Sequence, residues 1–214
     1  SDWFRGAGTE ESSGTQLLSI SGDCALPGIY EYPFGATIEQ ILEDCGAVDT
    51  QAVQIAGAAG TTLPAADAER CIAFEDLSTA GSFMVFNNDR NLLDTVQNFA
   101  HFFVHESCGF CTPCRVGSSL LKDLVDKLVN GHATQYDVDE MRKIGALMRQ
   151  TSHCGLGSTA PGPVLDLLDR FPQLVEERLA HSGYEPAFDL DAALQEARDI
   201  TGRDDAGAHI GSDS

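Results

Sequence analysis

Apolar positions alternate, or come in short runs, between residues 15 and 90, and recur every three to four residues beyond that point. In the first stretch, L-L-S-I-S-G after Gln16, a turn over Asp23–Gly28 containing Pro27-Gly28, and I-Y-E-Y read as a hairpin. The run from Thr37 to Gly46 reads as a short helix. Thr37 is its N-cap, Gln40 stands three residues on as in a capping box, and Gly46 ends it. A-V-Q-I-A-G makes another strand, broken by the turn Gly57-A-A-Gly60. After a loop through Pro64, F-M-V-F (83–86) is a strand with apolar residues on both faces. Strand, strand, helix, strand, strand is the order of a small α+β roll of the β-grasp kind.

The helical stretch opens with Leu92, Val96, Phe99 and Phe103 on one stripe. Val116, Leu120, Leu124 and Leu128 make a second, ending at Asn130-Gly131. Asp137, with Glu140 three residues later, caps a third helix striped by Met141, Ile144 and Met148. A fourth starts near Pro161 or Pro163, carries Val164, Leu168 and Phe171, and restarts after Pro172 through Val175 and Leu179. Four such helices with short connections predict a bundle. The expected organisation is a flexible lead over 1–14, the roll over 15–90, the bundle over 91–181 and an acidic tail over 182–214. In the tail, Phe188, Leu190, Leu194, Ala197 and Ile200 permit one short amphipathic helix.

Charge sharpens this division. The net of −20 is unevenly spread: residues 15–100 hold 12 acidic and 2 basic side chains, residues 101–181 hold 10 and 8, and residues 182–214 hold 8 and 2. The bundle is therefore close to neutral. Such acidity argues against nucleic acid or an anionic membrane as partner, and no apolar run approaches the roughly 20 residues of a membrane span. Seven cysteines without a visible secretion signal point to reduced thiols in a cytoplasm.

Three of those cysteines change the picture. In E-S-C-G-F-C-T-P-C-R, Cys108, Cys111 and Cys114 recur every third residue between the first two bundle helices. Three thiolates at this spacing suit a cubane, in which each binds a different iron. Cys154, in S-H-C-G-L-G between helices three and four, is the candidate fourth ligand, because alternate loops of a bundle share one end. A zinc ion held by four thiolates and four incidental reduced thiols are the alternatives. Radical chemistry with three ligands is disfavoured by the fourth cysteine. His101, His105 and His153 are alternative ligands, and Arg115 a candidate partner for an anionic cluster. Gly109, Gly155 and Gly157 would let backbone amides approach the sulfurs. Cys24, Cys45 and Cys71 read as buried free thiols.

The triplet motif, followed by C-G-L-G-S-T-A-P-G-P-V-L, resembles the C-terminal part of the family of NADH-oxidising flavoprotein subunits. That family includes the flavin-bearing subunit of respiratory complex I and the diaphorase subunits of NAD-reducing nickel–iron hydrogenases, with relatives in NAD-dependent formate dehydrogenases. Q-L-L-S-I-S-G-D-C-A-L-P-G-I-Y-E resembles its β-grasp-like SLBB domain, and the tail from Phe188 resembles an extension on hydrogenase diaphorase subunits. The resemblance implies that Cys108, Cys111, Cys114 and Cys154 bind one [4Fe-4S] cluster. The cluster would take single electrons from reduced FMN and pass them to clusters of a neighbouring subunit. Family members place a flavin- and NAD(H)-binding domain before the SLBB unit. Here neither Gly6-A-Gly8 nor Gly57-A-A-Gly60 stands between a strand and a helix as a nucleotide loop needs. FMN and NAD(H) are thus expected on another domain or chain, with that chain and an iron–sulfur subunit as partners. The resemblance implies an electron relay in an NAD(H)-linked complex, the diaphorase part of a nickel–iron hydrogenase ahead of complex I or a formate dehydrogenase, with no residue acting as acid, base or nucleophile. The rival is a partner-binding or assembly protein whose metal only staples the bundle.

Overall fold

A computed structural model describes residues 2–180 and 190–203. After a short helix α1 (Asp2–Arg5), strands β1 (Thr15–Gly22) and β2 (Gly28–Pro33) form the expected hairpin, with Leu18 opposite Tyr30. Helix α2 (Ile38–Asp44) starts where Thr37 Oγ1 accepts the Gln40 amide at 3.1 Å. Strands β3 (Thr50–Ile55), β4 (Thr61–Pro64) and β5 (Ser82–Asn87) complete a five-stranded sheet in the order β2-β1-β5-β3-β4. β5 runs parallel to β1 and antiparallel to β3. The sheet precedes the helices in an α+β architecture.

β4 is a correction to the expected loop through Pro64. It pairs antiparallel with β3, and Ala52 faces Pro64 across the pair. β4 is an edge strand, where a proline's missing N–H costs no ladder bond. The Gly57–Ala59 segment is a tight 3-10 turn joining β3 to β4. A Cβ on Gly60 would lie 1.7 Å from the Ile55 carbonyl oxygen, so only glycine fits that bend. No helix follows it directly, which excludes a nucleotide loop there.

The strand with two apolar faces has two cores to serve. Phe83 and Val85 pack with Leu18, Ile20, Ile38, Ile41, Val53 and Leu63 between the sheet and α2. Phe86 and Ala52, with Met84 beside them, join a second core formed with the helices. Within the expected lead, Ser12 is buried and its hydroxyl accepts the Phe74 amide at 2.9 Å.

The helices are α3 (Leu92–Glu106), α4 (Thr112–Val129), α5 (Gln135–Thr151), α6 (Gly155–Thr159), α7 (Gly162–Arg170) and α8 (Pro172–Glu176). Asn91 caps α3 by accepting the Leu93 amide at 3.1 Å, and Leu92, Val96 and Phe103 are buried as expected. The stripe on α4 is not the expected one. Val116 and Leu120 are 42% and 45% exposed, whereas Gly117, Ser118, Leu121, Val125 and Leu128 are buried. A Cβ on Gly117 would lie 2.6 Å from Met148 Cγ and Sδ, so this small residue sets how closely α4 and α5 approach. Hydrophobic periodicity does not count Gly or Ser, and so puts the stripe on the wrong side of them.

The cap of α5 also moves. Thr134 is the N-cap and Asp137 the N3 residue of a reciprocal capping box, with the Thr134 amide 2.7 Å from Asp137 Oδ2. Lys127 Nζ lies 2.7 Å from both oxygens of Asp137. Burial pushes the Asp137 carboxyl up, but Lys127 and the Thr134 amide outweigh it and hold its pKa below 3.8. α7 is tied to β4 through Asp166, which accepts the Thr62 amide at 2.8 Å; burial raises the pKa of this carboxyl. A separate unit begins at residue 181. Its described part is helix α9 (Leu190–Thr201), with Ile200 exposed; Phe188 of the expected stripe lies outside the described residues.

Candidate metal centre

Each thiol of the constellation sits where a helix stops or starts. α3 ends at Glu106, Ser107 turns the chain out of the helix (φ −65°, ψ 122°), and Cys108 follows in the loop. Gly109 takes φ +75°, a left-handed conformation that favours glycine and bends the loop back. Cys111 is the N-cap of α4, and Pro113 and Cys114 occupy its first turn. At the far end of α5, Ser152 is the C-cap and Cys154 the N-cap of α6. The short helix α6 has no counterpart among the expected elements, and it presents Cys154 to the triplet loop.

The four cysteines line one cavity of about 300 Å³, together with Glu106, Ser107, Phe110, His153 and Leu156. Phe110 from the triplet loop and His153 from the distant one meet edge to face, with ring centroids 5.3 Å apart. The amides of His153 and Cys114 face the Cys111 thiol and hold its pKa below the usual thiol value. The cavity is graded: Cys114 is buried, Cys111 half-buried, and Cys108 and Cys154 exposed. The bundle therefore encloses one side of the site and leaves the other open.

Glycine roles also separate. A Cβ on Gly157 would lie 2.5 Å from Ser152 Oγ and 2.8 Å from Cys114 Cβ, so its bare backbone allows α6 to close on α4. Gly155 has nothing within 4 Å of such an atom and carries no packing demand. His101 and His105 do not line the cavity: His101 Nε2 contacts Asp126 at 2.9 Å, and His105 projects beside Glu106. Arg115 lies on the exposed side of α4, outside the cavity wall. In the roll, Cys45 is buried and its pKa is pushed up to about 11 by desolvation and by neighbouring Cys24, while Cys24 and Cys71 are half-buried.

Sequence reasoning misses Ser107, Phe110 and Leu156. Ser107 has the clearest signal, since it immediately precedes Cys108 and its Oγ lies 3.3 Å from Cys114 Sγ. Thiolates around a single zinc all sit about 2.3 Å from it. Among the described residues, no group of three or more His, Cys, Asp and Glu converges to hold a single ion. Four soft sulfur donors lining one cavity fit a cluster with an iron for each. The orphaned, buried Ser152 Oγ beside Gly157 is the one unsatisfied polar atom in this region among the described residues.

An α+β chain with four thiols around one cavity has the donor set of a protein that binds a thiolate-held metal or cluster. Residues 94–178 match the family of the NADH-ubiquinone oxidoreductase-F iron-sulfur binding region, so the chain carries this region. The alpha subunit of the NAD-reducing hydrogenase HoxS from Cupriavidus necator is 49% identical over 196 residues, which cover 90% of this chain and 33% of that protein. The F component of NADH-quinone oxidoreductase from Mycobacterium tuberculosis is 32% identical over 190 residues, covering 84% of this chain and 42% of that one. The crystal structure of an NAD+-reducing [NiFe]-hydrogenase in the H2-reduced state superimposes with a TM-score of 0.82 at 43% identity, over 98% of this chain and 37% of its own. The chain thus spans between a third and a half of the length of these relatives. No described helix is long and apolar enough to cross a membrane.

Proposed function

We propose that this chain is an electron-relay module of an NAD(H)-linked oxidoreductase complex, with Cys108, Cys111, Cys114 and Cys154 each binding one iron of a [4Fe-4S] cluster. The observation that carries the reading is the convergence of Cys154 on a triplet forty residues upstream, around one cavity. A bound cluster supplies reversible one-electron redox chemistry. The chain's own residues position and enclose it. Cys114, in the first turn of α4, supplies the buried donor, and Phe110, His153 and Leu156 line the cavity beside it. Cys108 and Cys154 face outward, where an electron donor or acceptor can approach. No side chain of the site needs to gain or lose a proton during the transfer.

The relatives supply the setting. The 49% identity to a component of an NAD-reducing hydrogenase favours the diaphorase part of a nickel–iron hydrogenase over complex I. Its partners would be a flavin- and NAD(H)-binding domain or chain and an iron–sulfur subunit, in a reducing cytoplasm that keeps the thiols free. Anaerobic reconstitution with iron and sulfide, followed by EPR of the reduced protein, tests the assignment. Four irons per chain and a reducible cubane signal are expected. Stoichiometric zinc with no paramagnetic signal would overturn it in favour of a stapled bundle.

A further inference from the structure

Ser107 occupies a particular place in this site. Its Oγ lies 3.3 Å from Cys114 Sγ and accepts the Gly109 amide, also at 3.3 Å. Cys114 is the most enclosed of the four thiols, only 5% exposed. A thiol that ligates iron has no proton to give, so in this pair the hydroxyl is the donor. The Gly109 amide already donates to the same oxygen, which leaves the serine proton free for the sulfur.

We infer that Ser107 is a positioning residue that sets the reduction potential of the site by donating an O–H···S hydrogen bond to Cys114. The inference rests on the reading above that Cys114 ligates a cluster. Reduction adds one negative charge, part of which is carried by the ligand sulfurs, and a donor aimed at a sulfur stabilises the reduced form more than the oxidised one. The enclosure of Cys114 strengthens this bond, because water is poorly placed to replace a lost donor there. A nearby hydroxyl provides the contrast. Ser118 Oγ is buried one turn further along α4 and donates to the Cys114 carbonyl at 2.7 Å, not to its sulfur.

EPR-monitored redox titration of the reconstituted full chain tests the inference on wild type, Ser107→Thr, Ser107→Val and Ser118→Ala. Thr and Val have nearly the same shape and differ in the hydroxyl. Ser107→Val is expected to weaken reduction about tenfold relative to Ser107→Thr, which is about 59 mV for a one-electron couple. Ser107→Thr and Ser118→Ala are expected to stay near wild type. Equal midpoint potentials for the Thr and Val variants, or an equal fall in Ser118→Ala, would overturn the role of Ser107 while leaving the cluster reading intact. A wild-type chain that binds no reducible four-iron cluster would overturn both. Should Ser107→Val hold less iron, the cluster-loaded fraction still reports its potential, because the EPR signal comes only from that fraction.

Discussion

Replacing Gly157 by alanine tests how closely α6 approaches the thiol-bearing turn of α4. The new methyl carbon would stand 2.5 Å from Ser152 Oγ, 2.7 Å from Ser152 Cβ and 2.8 Å from Cys114 Cβ. Carbon atoms attract at about 3.5–4.0 Å, so Cys114 must withdraw by roughly 0.7 Å before the contact ceases to repel. Overpacking of this kind costs about 1–3 kcal/mol. The better helix propensity of alanine returns at most about 1 kcal/mol. With that return in full, the net loss is up to about 2 kcal/mol and lowers the Tm of the metal-free protein by up to about 8 °C for a chain of this size. The effect on loading is larger in kind, because metal–ligand distances tolerate only about 0.2 Å. Iron per chain should therefore fall well below four. Adding Ser152→Gly removes the two shortest contacts and leaves the one to Cys114. The double variant should recover Tm in part without recovering iron. A single Gly157→Ala variant with wild-type Tm and four irons would refute the packing argument.

Cys154→Ser should lose iron yet keep its far-UV circular dichroism, because Cys154 is exposed and outside both apolar cores; a collapse of helicity would show that the metal holds the fold together. Asp137→Asn places an amide N–H group against donors of Lys127 and Thr134, and should cost about 2 kcal/mol in urea unfolding, within the usual range for bonds to a charged group. The same residue gives a pH signature. Its folded pKa is depressed below 3.8, so the unfolded chain takes up the proton first as acid is added. Its contribution is present above about pH 4 and is lost as pH falls further, at no more than about 1.4 kcal/mol per pH unit. The urea midpoint of Asp137→Asn should therefore fall less between pH 5 and 3 than that of wild type.

Much of this architecture is legible in the sequence because burial and periodicity coincide. Val96, Phe103, Met141, Met148, Val164 and Leu168 carry their helices' cores in the positions their spacing predicts. The two-faced apolarity of residues 83–86 is visible as well, although its reason, a wall shared by two cores, needs the sheet order. The failures fall where small residues or short elements do the positioning. Gly117 and Ser118 mark the inner face of α4 but carry no hydrophobic signal, so Val116 and Leu120 stand in for them. β4 is four residues long and ends in proline, a pattern that also describes a loop. At the site, the spacing of the triplet names its thiols and the end-sharing of bundle loops names Cys154. Nothing in the spacing distinguishes Gly155, which is unconstrained, from Gly157, on which the closeness of two helices depends. The grading from enclosed Cys114 to open Cys108 and Cys154 depends on how each helix terminus is turned, and composition does not encode that.

β5 buries one side chain after another on opposite faces, and this limits how the chain can be divided. Cutting near residue 90 would leave Ala52, Met84 and Phe86 on a bare sheet face and part β4 from α7. The first fragment would keep the core against α2 and lose the one on the other face of its sheet, so the roll and the bundle are expected to be made, and inherited, as one piece.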